Sequence, residues 1–176
     1  MGYWLTTFIN LCKLKAGPQD LPLSRELMYA SVFAYWLMGV VLTLVNQTFG
    51  QSVFLSLVQT IILIFMCKIV LWIAKKPERS LQTLTALAGS GALIAVLAWP
   101  LLMWMGQGEI TGEHPLAILW LLLVIWETVV IGHIFRHALE IPFLAGIGVA
   151  LVFVYMTFTV TVRFLRVMSM TTGSGG

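Results

Sequence analysis

The stretch Pro115–Ala138, PLAILWLLLVIWETVVIGHIFRHA, decides the fold. It is apolar from Leu116 to Trp126, carries one acid, Glu127, and holds its cation, Arg136, back to the last turn. As a helix it is about 36 Å long, more than the ~30 Å hydrocarbon core of a bilayer. A strand of a membrane barrel would alternate apolar and polar residues, and this run does not. It therefore reads as a transmembrane helix.

Four further runs match it. They cover 27–46, 52–74, 81–105 and 142–165, so the expected fold is all-α, a polytopic bundle of about five transmembrane helices. Composition agrees: 60% of the 176 residues are hydrophobic and 10% charged, with a mean hydropathy of +0.97. Soluble domains carry about 25% charged residues because their surface must face water. Lipid must be the solvent here, and in lipid the backbone has to satisfy its own hydrogen bonds. Pro100 falls near the end of the third run, where a kink is expected.

The loops give an orientation. Of ten basic residues, Lys13, Lys15, Arg25, Lys68, Lys75, Lys76, Arg79 and Arg136 fall on one side of a five-span chain, and only Arg163 and Arg166 on the other. Positive-inside sorting makes the larger group, and with it the N-terminus, cytoplasmic. The net charge of +3 is thereby explained without a nucleic-acid partner. Glu109, Glu113 and His114 mark the longer outer loop. Trp72 and Trp104 suit interfacial belts, while Trp120 and Trp126 lie deeper, where tryptophans pack. Cys12 and Cys67 have no motif spacing and read as free thiols.

Residues 1–26 form a separate segment. Trp4, Phe8 and Leu11 share one helical face, with Thr6, Asn10 and Lys13 opposite, so a short amphipathic helix resting on the cytoplasmic leaflet is expected. Its alternative use is as a docking surface for a partner. A turn follows at Ala16–Pro22, and Ser24 is placed to cap the next helix. The membrane domain is 27–168, and 169–176 is a flexible tail whose Gly173-Ser174-Gly175-Gly176 reads as an appended linker. No cleavable signal is expected, because the first long apolar run follows Lys13, Lys15, Asp20 and Arg25.

Few side chains are available for chemistry. Glu127 sits near mid-membrane, where an ionised carboxylate costs roughly 2.5–3.5 kcal/mol, so it needs a partner or a proton. Counted from the outer face it lies about 18 Å deep and Lys68 about 24 Å, close enough to pair if the second and fourth spans are neighbours. The alternatives are a protonated acid bonded to Gln59 or Thr128, or a step in a proton or ion pathway. His133 and His137, spaced i, i+4, share a face that suits a metal or haem. Yet His114 stands across the membrane and only Glu140 follows nearby, so an interfacial pair is expected, with neither metal nor cofactor. Ala88, Gly89, Gly91, Ala92 and Ala95, and later Gly146 and Ala150, mark close helix packing. There is no Walker loop, HExxH, GxSxG or nucleotide fingerprint, and an enzyme is not expected.

Arg79-Ser80-Leu81-Gln82-Thr83-Leu84, entering a Gly/Ala-rich third span, and Trp126–Pro142, leading into the fifth, resemble the Yip1-like group of small five-span bacterial membrane proteins. The resemblance covers the second to fifth spans as a pattern; Gly17–Pro22 has no counterpart in it. It implies a non-enzymatic adaptor or organiser of the bacterial inner membrane. Its partners would be the bilayer and a membrane protein or a second copy, and no catalytic residues carry over.

Overall fold

The computed structural model describes residues 2–105 and 115–173. The loop with Glu109, Glu113 and His114, and the tail after Gly173, lie outside the described residues. Six helices follow in order: α1 Gly2–Cys12, α2 Arg25–Thr43, α3 Phe49–Ile73, α4 Ser80–Met105, α5 Pro115–Leu139 and α6 Phe143–Gly173. No strand is present among the described residues, and α2 to α6 are each long and apolar enough to cross a membrane. The protein is an all-α bundle.

Local chemistry sets the helix ends. Ser24 Oγ accepts the Leu27 backbone N–H at 3.2 Å, the expected cap of α2. Pro18 opens a 3₁₀ turn at Pro18–Asp20, and the Asp20 carboxylate turns back to accept the Gly17 N–H at 2.7 Å. Helices α1, α3 and α5 stop at left-handed residues that are not glycine: Leu14 (φ 60°), Lys75 (φ 55°) and Glu140 (φ 57°). After each, the next N–H returns to a carbonyl five residues back, as in Lys15 to Asn10 at 2.8 Å and Lys76 to Leu71 at 2.8 Å. Helix α4 runs through Pro100 without ending there.

Helix α4 is the hub. It packs on α1, α2, α3 and α5, while α5 pairs with α6 and α3 touches α6. Half of the apolar stretch of α4 is buried, against a third or less for the other spans. The small residues explain this. A Cβ on Gly89 would meet the Phe8 ring of α1, and one on Gly91 would meet the Tyr35 ring of α2. Ala88 and Ala92 are buried beside them, whereas Ala95 is only half-buried. In the second pair, a Cβ on Gly146 would meet the Gly132 carbonyl oxygen at 2.4 Å, so α6 lies almost backbone to backbone on α5, and Ala150 is buried one turn on. Far from the hub, Gln59 donates to Thr161 Oγ1 at 3.1 Å and Phe54 stacks on Phe164 at 5.1 Å, tying α3 to α6.

Two expectations are corrected. The N-terminal helix forms, but part of its apolar face is turned to protein: Phe8, Leu11 and Cys12 are buried against α4 and α5, while Trp4, Leu5 and Ile9 stay exposed. The notch left by Gly89 gives the Phe8 ring a close-packed seat, which a lipid surface does not offer. The second correction is at the other terminus. Helix α6 continues past 165 to Gly173, so the tail expected from 169 begins as helix. At about 46 Å it exceeds the hydrocarbon thickness, which carries the turn with Arg163 and Arg166 toward the headgroups.

Candidate functional site

The connections α3–α4 and α5–α6 meet at one end of the bundle, the basic end. There Glu140 bridges two cations, Lys76 Nζ at 2.5 Å and Arg79 Nη2 at 2.5 Å. The same cations donate to the last carbonyls of α5: Lys76 to Leu139 at 3.2 Å, and Arg79 to His137 and Ala138 at 3.3 Å each. Those carbonyls have no partner within their helix and carry the negative end of its dipole, so two cations are well placed there. Hydrogen bonds from Lys76, then Arg79, hold the Glu140 carboxyl below the usual range. This triad was not among the expected site residues. Its signal in the sequence is the opposite charges in Lys75–Arg79 and at Glu140, in two loops on the same side.

Beside the triad is a recess of about 470 Å³, lined by Pro18, Gln19, Arg79, Gln82, Thr83 and His137 among others. Although it is the larger polar cavity, the Arg79 and Glu140 that line it are already satisfied by each other. The histidines are accounted for nearby. His133 Nε2 lies 3.0 Å from the Ala16 carbonyl oxygen, an acceptor only, so that nitrogen donates. His137 meets the His133 ring edge to face, with centroids 4.5 Å apart. Among the described residues no three His, Cys, Asp or Glu side chains converge to hold a metal.

The second site is in the bundle's interior. Glu127 is half-buried on α5 and lines a cavity of about 280 Å³ with Tyr35, Gln59, Gly91, Trp120 and Thr157. Tyr35 reaches this cavity from α2. None of the three expected partners bonds to it. Gln59 donates to Thr161, and Thr128 Oγ1 donates to the Val124 carbonyl at 2.8 Å. Lys68 is exposed on the outward side of α3, in a surface groove with Phe65, Ile69 and Trp72. The Lys68–Glu127 pair is therefore corrected: α3 packs on α2, α4 and α6 rather than on α5, so equal depth does not become contact. Among the described residues none hydrogen-bonds or ion-pairs with Glu127.

Helix α5 also holds the N-terminal segment. The Trp126 indole N–H donates to the Cys12 carbonyl at 2.9 Å, and from α4 the Gln82 amide donates to the Leu21 carbonyl at 2.6 Å. Both cysteines are free and buried. No protein-family model, curated protein or solved structure matches the chain, so the sites rest on their own geometry.

Proposed function

We propose that the chain is a non-enzymatic protein of the bacterial inner membrane, N-terminus cytoplasmic, acting as an adaptor, organiser or accessory subunit through helix–helix contacts. Glu127 is the observation that carries this reading. A carboxylate at mid-membrane is costly without a partner, and its own chain supplies none among the described residues. The cavity it lines leaves room for a donor from outside, such as an amide, hydroxyl or cation on a partner helix. The Yip1-like pattern of the second to fifth spans supports the same reading. The test is co-purification in mild detergent of the wild type beside Glu127→Gln. A membrane partner held stoichiometrically by the wild type and lost in the variant supports the proposal. A bare monomer under every mild solubilisation sinks it.

The same cavity favours one other reading, a small transporter or proton-relay component. Tyr35, Gln59 and Thr157 give Glu127 polar company along the cavity wall, although Lys68 takes no part. Proton flux in proteoliposomes decides it: flux that survives Glu127→Gln unchanged removes this reading.

A further inference from the structure

The contacts of α1 fix its depth. Cys12 Sγ lies 4.0 Å from the Ser90 carbonyl oxygen, and the Cys12 carbonyl accepts from Trp126. Ser90 is about 15 Å along α4 from Ser80, and Trp126 about 20 Å along α5 from Leu139. Lys13 lies in a groove with Ile9, Leu93, Leu97 and Trp126, so its Cα is roughly 20 Å inward from the basic end. The chain then climbs back: Ala16 reaches His133 and Leu21 reaches Gln82. From Cys12 to Leu21 the segment thus rises from inside the bundle toward the basic end. Phe8, Leu11 and Cys12 face α4 and α5, and Lys13 and Lys15 are exposed on the outer side beside Ile9 and Leu14.

A flat bilayer does not fit this flank. On the opposite flank, α3 exposes Phe54, Ile61, Phe65 and Trp72, an apolar face of about 27 Å that matches a full hydrocarbon core. On the α1 flank the exposed apolar faces are Val96–Trp104 on α4 and Ile118–Trp126 on α5, each about 12 Å, continued only by Trp4, Leu5, Ile9 and Leu14 of the N-terminal segment itself. Below them come the two lysines. The four-carbon stem of Lys13 is too short to carry its ammonium over roughly 20 Å to the surface, and hydrocarbon is the costliest place to leave it.

We infer that the bilayer is thinned beside α1, with anionic phospholipid headgroups and their water drawn in to Lys13 and Lys15. The phosphodiester supplies the complementary charge, and its acyl chains meet the short apolar faces of α4 and α5.

Two measurements test it. Cys12→Ser/Cys67→Ser protein, carrying either Lys13→Cys or Ile61→Cys, is reconstituted in phosphatidylglycerol-containing vesicles. A membrane-impermeant maleimide is then supplied on both sides. Ile61 lies about 18 Å along α3 from Ile73, a depth similar to that of Lys13. Position 13 should react at least about ten-fold faster than position 61. Equal protection of both, as a second copy or a protein partner covering α1 would give, overturns the inference, and so does equal labelling. The second measurement needs no cysteine change. Wild-type protein should retain phosphatidylglycerol over phosphatidylcholine in native mass spectra, and Lys13→Gln/Lys15→Gln should lose about half of it or more. Retention unchanged in that variant overturns the inference even if the cysteine proteins fail to fold.

Discussion

The α3 flank and the α1 flank of this bundle are built from similar residues and do opposite things with them. Phe65 on α3 is 64% exposed, and the groove beside it is lined by its own neighbours Lys68, Ile69 and Trp72. Phe8 on α1 is 8% exposed, with its ring in the notch of Gly89. An aromatic residue facing lipid gains little over any other apolar residue, because acyl chains are as apolar as side chains. An aromatic seated in a preformed notch gains dispersion contacts at close-packed density. In a membrane, therefore, fit rather than hydrophobicity separates a stabilising phenylalanine from a neutral one.

That difference can be broken in graded steps. Phe8→Ala should lower stability by about 3 kcal/mol, against less than about 0.5 for Phe65→Ala, read from thermal unfolding in detergent. Equal effects would mean that α1 is not docked. Gly89→Ala puts a methyl 2.2 Å from Phe8 Cε1 and should cost about 2 kcal/mol, while Gly148→Ala, with nothing within 4 Å, should be neutral or slightly stabilising. Trp126→Phe removes the donor to the Cys12 carbonyl and should cost about 1 kcal/mol, with faster hydrogen exchange in α1; Trp72→Phe should change neither. Lys75→Gly relieves a left-handed backbone at the end of α3 and should add up to about 1 kcal/mol.

The smallest effect belongs to neither flank. The Glu140 carboxyl is held below its unfolded value, so its contribution is present above the unfolded pKa and fades as pH falls through the lower, folded one. Stability should drop slightly in that acidic window, the drop should be absent in Glu140→Gln, and 1 M salt should flatten it.

The spans were legible because each is a long apolar run, and the bilayer enforces length and periodicity independently of the neighbours. Small residues were legible as packing positions for the same reason: Gly89 and Gly91 point to close approach whatever approaches. What approaches was not legible. Nothing along the chain says that Phe8, rather than a transmembrane helix, fills the Gly89 notch. Depth could be counted from residue number, and it placed Glu127 and Lys68 near one level. Azimuth around the bundle depends on which helices touch, and α3 turned out to lie away from α5. The Glu140 triad was not legible because Lys76 and Arg79 spoke to orientation and Glu140 to the nearby histidines, and only the folded chain brings the two loops together.

The docking of α1 also has a consequence in time. Its seats are the Gly89 notch on α4 and the Trp126 indole on α5, and both are translated after it. At about 5–20 residues per second, the ribosome needs roughly 6–25 s after Cys12 to finish α5. Over that interval the first helix of the chain has no place to go, and its apolar side must be sheltered by the leaflet surface or by the insertion machinery. Docking is then a late step of biogenesis, and a chain arrested before residue 115 should leave its N-terminal segment open to protease.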